Sequence, residues 1–222
     1  MTQLSEAVEL GGPNAPASAD VTSAIRDAIV NGEFAPNQRL IEADLSVAFG
    51  ASRSAVRTAL LELATLGLVD RLPNRGSRVR AVTLEEAVEI LEVRIGLESL
   101  CAAKAAQQIT DAEITELRRA RTALLAAVDS GDLLGYSRLN QELDRRLREI
   151  SRHATAVAMI ERLRAQSVRH QFRLAFQPGR AAVSGPEHAA IIDAVIARDP
   201  RAAEAATRAH LLGVIDALRA IG

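Results

Sequence analysis

The residues best placed to do chemistry stand close together: Ser52, Arg53, Ser54 and Arg57. Arg53 and Arg57 are four apart, so in a helix both project from one face. Arginine can grip O6 and N7 of guanine with two hydrogen bonds. Small hydroxyls reach phosphates or base edges without holding the helix off the duplex. Ser52 is also suited to cap the start of such a helix, whose opposite face carries Val56, Leu60, Leu61 and Leu63. Downstream, Arg75 and Arg78 flank Gly76 in a stretch of hairpin character, where cations would meet a duplex backbone or minor groove. The chemistry indicated is the reading of double-stranded DNA. An ordinary solvated helix face also carries arginines at this spacing, so the surrounding elements have to decide.

Charge narrows the question. The chain of 222 residues has a formal net charge of −1. Yet residues 51–80 hold Arg53, Arg57, Arg71, Arg75, Arg78 and Arg80 against only Glu62 and Asp70, a local +4. A basic patch confined to one short stretch suits a small DNA-reading module on a neutral body, although a solvated surface reads the same way on charge alone. Aromatic residues make up 2%, too few for a reader that stacks bases on aromatic faces. A single cysteine, Cys101, excludes an intramolecular disulfide and multi-cysteine zinc modules. No apolar run approaches the roughly 20 residues of a membrane-spanning helix, and no signal peptide is legible, so a cytoplasmic protein without membrane contact is expected.

The elements that must position these residues follow from periodicity and punctuation. Residues 1–18, with GGPNAPAS in their middle, read as a disordered tail. A helix capped by Asp20 runs to Val30, with Val21, Ile25, Ala28 and Ile29 on one face. A loop with Pro36 follows, then short helices over Glu42–Phe49 and Arg53–Leu66, separated by Gly50-Ala51-Ser52. LVDRLPNRGSRVRAV has two β-prone runs around Pro73–Gly76. Helix, helix, tight turn, helix and hairpin make a winged helix-turn-helix over residues 19–80. Residues 81–222 are purely helical in period. Capping boxes at Thr83–Glu86 and Thr110–Glu113 open helices to Gln108 and Val128. Further helices are expected from Asp132 to Ile150, Ala154 to Phe176, Glu187 to Ala197 and Arg201 to Ala220, with a less regular stretch before Pro186. The expected architecture is mostly α: the winged module, then an antiparallel bundle of six or seven helices.

Residues 21–80 resemble the N-terminal domain of GntR-type bacterial transcription regulators, through the AIVNGEF stretch, the PNQRL turn, the ADLSVAFGASRSAVRTAL helix pair and the GLVDRLPNRGSRV wing. The helical remainder resembles the FCD effector domain of the FadR-like subfamily. The resemblance implies a ligand-responsive homodimer, acting as a repressor on a palindromic operator. It places DNA contacts on Ser52, Arg53, Ser54 and Arg57, and phosphate contacts on Arg39 and on the wing around Arg75 and Gly76. Where some relatives carry a base-contacting arginine on the first helix of the pair, this chain has Ala43, so their operators do not transfer.

The FCD resemblance also implies a metal site built from an Asp or Asn, two histidines 22 residues apart, and a further histidine. Glu187-His188 and His210 match the later pair. Asn140 takes the Asp/Asn position and Asp144 that of the remaining histidine. The rival register, with Asp144 as the acid and Arg148 as the histidine, would destroy the site. The implied shell of Asn140, Asp144, His188 and His210 suits a first-row divalent ion. Its extra carboxylate shifts preference from Zn towards Mn, Fe or Ni. The bland alternative pairs Asp144 with Arg148 one turn on and leaves the histidines as polar core residues. Arg94 matches a residue that the family turns into the effector cavity, where it would clamp a small carboxylate; a helical salt bridge to Glu98 is the alternative. Tyr136 either lines this cavity or packs partly exposed. No phosphate loop, nucleophile elbow or nearby Cys-His pair points to catalysis. A metal-dependent bundle enzyme and a helical oligomerisation module are the rival readings.

Overall fold

The computed structural model describes residues 18–72, 76–175 and 177–221. The expected tail over 1–18 lies outside the described residues except for Ser18, and so does Arg75. The chain divides into two compact units, Met1–Arg80 and Ala81–Gly222.

In the first unit, α1 (Ser18–Val30) buries Val21, Ile25, Ala28 and Ile29 against α3 (Arg53–Thr65), which contributes Val56, Ala59, Leu60 and Leu63. Between them, β1 (Arg39–Leu40) precedes α2 (Glu42–Ala48). Gly50 turns the chain from α2 to α3 at φ +60, a left-handed conformation that glycine adopts without strain. After α3, β2 (Val69–Leu72) and β3 (Gly76–Val79) pair antiparallel, and β1 adds to the far side of β3, giving the order β1-β3-β2. The segment around Arg39 was expected to be loop. It is instead a short edge strand, with Arg39 opposite Arg78 and Leu40 opposite Ser77. Two residues are too few to show a strand period. A second departure is Leu61, which is not on the inward face but 42% exposed. It lies four residues beyond Arg57 and therefore shares the outward stripe of Arg53 and Arg57.

The second unit contains α4 (Leu84–Gln108), α5 (Asp111–Asp129), α6 (Leu133–Ser151), α7 (Ala154–Ala175), α8 (Arg180–Ile196) and α9 (Pro200–Ile221). The starts follow the sequence signals. Thr83 accepts from the Glu86 N–H, Thr110 and Glu113 form a reciprocal capping box, and Asp132 accepts from the Gly135 N–H. Asp199 accepts from the N–H groups of Arg201 and Ala202, with Pro200 in the first turn. The core joins Ala105, Ile109, Leu117, Leu124, Leu143, Ile150, Ile192 and Val195, and α4 packs against α6, α7, α8 and α9. The helix expected to begin at Glu187 begins at Arg180 and runs through Pro186. Proline deprives one carbonyl of its helical partner. Packing overrides that loss: Ser184, Gly185, His188 and Ala189 are all buried, and a Cβ on Gly185 would stand 2.8 Å from the Val128 side chain of α5.

Candidate functional site

In the first unit, Ser52 caps α3, its Oγ accepting from the Ala55 N–H at 3.2 Å and lying 2.9 Å from Ser54 Oγ. The cap fixes where the helix starts and leaves Arg53, Ser54 and Arg57 exposed on its first turns. Among the described residues Arg53 has no hydrogen-bond or ion-pair partner. Arg57 is held differently: its Nε and Nη2 donate to both oxygens of Glu42 on α2, the shortest contact being 2.7 Å. That hydrogen-bonded partner raises the Arg57 pKa and lowers that of Glu42. Arg39 and Gly76 are exposed at the sheet, Gly76 opening β3 at φ +84. Arg78 pairs with Asp70 across the hairpin at 3.1 Å.

The second unit brings charged and polar groups from five helices into one buried cluster. On α4, Arg94 is 3% exposed and bonds Glu98 at 2.7 Å, yet its Nη1 has no partner among the described residues. The salt bridge given as the alternative to an effector clamp is therefore present, and it leaves one buried donor of Arg94 unspent. On α6, Asn140 and Asp144 stand one turn apart. The Asn140 Oδ1 is buried without a partner among the described residues. Asp144 Oδ2 accepts from Arg164 Nη1 on α7 at 2.6 Å. Burial would push the Asp144 carboxyl up, but Arg164, His188 and Arg148 outweigh it and bring it down to about 2. The partner of Asp144 is thus Arg164, rather than the Arg148 one turn away. Arg148 contributes a buried Nε that has no partner among the described residues.

The two histidines meet from α8 and α9, ring centres 4.2 Å apart. His188 Nδ1 lies 2.7 Å from the Ser184 carbonyl, and Tyr136 Oη lies 3.3 Å from the same nitrogen. A carbonyl only accepts, so Nδ1 carries the proton and Nε2 keeps its lone pair. Burial, aided by His210, lowers the His188 pKa to about 4, so the ring is neutral. His210 Nδ1 lies 2.7 Å from Glu187 Oε2. Gly213, three residues on, leaves room for that carboxylate, since a Cβ there would come within 3.2 Å of Glu187 Oε1. Tyr136 is fully buried, not partly exposed as packing alone suggested, and burial raises its phenol to about 12.

A divalent ion would need lone pairs. His188 and His210 fit, because each is oriented through Nδ1 by an oxygen acceptor, the arrangement that supports metal-bound imidazoles. Asn140 fits, because its oxygen is buried and unspent. Asp144 is the departure, since Arg164 already occupies it. Among the described residues no three His, Cys, Asp or Glu side chains are grouped so as to hold an ion. The sequence did not point to Arg164 or Ser184 as members of the cluster, and it offered Arg148 only in the rival register and as an alternative partner of Asp144. Glu187 had a signal, its place beside His188.

Comparisons agree with both units. Residues 17–79 match the family described as bacterial regulatory proteins, gntR family, and residues 89–213 match the FCD domain. The HTH-type transcriptional repressor RspR of Escherichia coli K12 is 29% identical, over 94% of this chain and 92% of its own length. A probable D-xylose utilization operon transcriptional repressor of Paenarthrobacter nicotinovorans is 26% identical, over 89% and 88%. The solved structure of E. coli McbR/YncC superposes with a TM-score of 0.77 at 22% identity, covering 92% of this chain and 97% of that one, which shows a shared fold. These relatives are regulators and not enzymes. No helix among the described residues is long and apolar enough to cross a membrane.

Proposed function

Because the chain belongs to the GntR family of bacterial transcription regulators and carries an FCD domain, we propose that it is a ligand-responsive repressor acting on a palindromic operator in the cytoplasm. The observation that carries this reading is the face of α3, where two arginines one turn apart stand exposed behind a serine cap. Ser52, Arg53, Ser54 and Arg57 enter the major groove, and Arg39 and the wing at Arg75 and Gly76 hold phosphates. One such module reads too few bases for useful specificity, so the protein works as a homodimer through the helical domain. Val93 and Leu100 on α4 and Met159 on α7, all exposed, supply apolar surface for the partner.

The effector is a small carboxylate bound in the buried cluster of the helical domain. The unspent Nη1 of Arg94 supports this, since a buried guanidinium donor without an acceptor is costly and an anion satisfies it. A first-row divalent ion, Zn, Mn, Fe or Ni, is held beside it by His188, His210 and Asn140, with Asp144 as the fourth donor. When bound, such an ion supplies Lewis-acid anchorage for carboxylate oxygens. Arg94 orients the anion, while Ser184 and Glu187 hold the imidazoles in place. A carboxylate that binds two arrangements of the domain unequally shifts their populations, and so changes operator affinity.

Fluorescence anisotropy with DNA from upstream of the protein's own gene tests the first part. Affinity should fall steeply with salt, and protection should cover two half-sites about one helical turn apart. Salt-insensitive or absent binding would refute it. A thermal-shift screen of small carboxylic acids, with and without divalent metal, tests the second part, because a ligand of the folded state raises its stability.

A further inference from the structure

We infer that Arg164 is an internal counter-ion that competes with divalent metal for Asp144, so that an ion reaches its fourth donor only when the Asp144–Arg164 pair opens. The inference rests on the metal reading above and deepens it. The sequence position of Asp144 is that of a metal ligand in the family pattern, but its carboxylate accepts from Arg164 Nη1 at 2.6 Å. Both side chains are about one-fifth exposed. A cation approaching this carboxylate meets an oxygen already engaged and a positive group beside it.

Charge gives a second, independent argument. Three guanidiniums, Arg94, Arg148 and Arg164, stand around Asp144, and these groups feel one another. A divalent ion added beside Asp144 with Arg164 in place would stand next to a guanidinium in a space with little water, where like charges are poorly screened. Moving Arg164 off Asp144 relieves the nearest repulsion and frees the carboxylate in one motion. Among the described residues the Asn140 Oδ1 has no partner and both imidazoles are held through Nδ1, so Asp144 is the donor of the four that a cation already occupies.

The test is isothermal titration of the full chain, stripped of metal, with Zn²⁺ alone and with Mn²⁺ alone. Arg164→Gln should bind Zn²⁺ about 10–100-fold more tightly than the parent, the range over which partners of metal ligands act. Arg164→Lys keeps the buried charge but loses the forked contact, so its gain should be smaller. In the Arg164→Gln background, His210→Ala should remove the gain. Circular dichroism checks folding; if Arg164→Gln does not fold, Arg164→Lys carries the test, and zinc affinity no higher than the parent's overturns the inference. Equal, measurable affinity in parent and variants overturns the role of Arg164 and leaves the metal reading standing. No zinc binding in any folded variant overturns both. A gain that survives His210→Ala puts the zinc elsewhere and also overturns it.

Discussion

The protein uses the same pair, an arginine on a carboxylate, in two settings that call for opposite behaviour. Arg57–Glu42 closes at 2.7 Å on the face of the recognition helix, with side chains 64% and 35% exposed. Asp144–Arg164 closes at 2.6 Å inside the helical domain, with side chains 20% and 19% exposed. In water, such a pair gains little and exchanges readily for a phosphate or a base edge. Away from water, each charge depends on the other, because an unpaired ion there has no hydration to fall back on. Geometry is nearly equal in the two pairs, so burial decides how costly it is to open each one: little on α3, much more inside the helical domain.

The largest expected effect follows from the buried pair. Asp144→Ala leaves Arg164 without its counter-ion and should lower the unfolding free energy by about 3–5 kcal/mol, read from urea unfolding followed by helical circular dichroism. Replacing Asp144 and Arg164 together with apolar residues should recover much of the loss, as removal of both charges does elsewhere. A loss below about 1 kcal/mol in Asp144→Ala would mean that solvent reaches this cluster as freely as it reaches α3.

Arg53 gives the converse case, an exposed cation with no partner among the described residues. Arg53→Ala should weaken operator binding by about 1–3 kcal/mol and leave stability within about 0.5 kcal/mol of the parent. Arg57→Ala should act in the same direction but less, since Glu42 already draws on that guanidinium. Operator binding unchanged in Arg53→Ala would remove α3 from the DNA interface.

The two regions also differ in how much of them the sequence discloses. The helix pair, its turn, the hairpin and five of the six bundle helices follow from local signals: Ser52, Thr110, Asp132 and Asp199 as caps, Gly50 as the turn, and apolar residues at helical spacing. The face of α3 is local too, since i, i+4 spacing alone places Arg53 and Arg57 together. The buried cluster is assembled across long separations, and spacing could not indicate that Arg164 pairs with Asp144 twenty residues away or that Tyr136 reaches His188. Where a local signal misled, packing was the cause: Pro186 suggested a break, but Gly185 lets α8 pack closely against Val128 and the helix continues through it.

Glu113 is an intermediate case between the two pairs. It accepts from the Thr110 N–H and hydroxyl at 2.9 Å and from Arg152 at 3.2 Å, at the start of α5. Burial would push its carboxyl up, but these donors outweigh it and hold the pKa below the usual 4.5. The unfolded chain therefore takes up the proton first. The stability that Glu113 contributes is complete above pH 4.5 and is lost as pH falls through its native value. Thr110→Ala should cost about 1 kcal/mol at neutral pH. Glu113→Gln should flatten the acid limb of the stability curve, and an unchanged limb would show that other carboxylates carry it.

The smallest effect is the sharpest test of the contrast between water and interior. If the Arg57–Glu42 pair is one that DNA can replace, Glu42 is a competitor of the operator. It occupies the Arg57 fork, and it places a negative charge near the phosphates. Glu42→Gln removes the charge while keeping the size and a hydrogen-bonding side chain. Operator affinity should then rise about two- to fivefold at low salt, and the gain should shrink as salt screens both the pair and the phosphates. Stability should scarcely move, because the pair is exposed and its worth to the fold is small. The salt series separates this from a general change in fold, which would alter binding at every ionic strength. If Glu42→Gln instead weakens binding, Glu42 aims Arg57 at a base rather than competing for it. The exposed pair would then be as fixed in its role as the buried one, and burial would not be what distinguishes them.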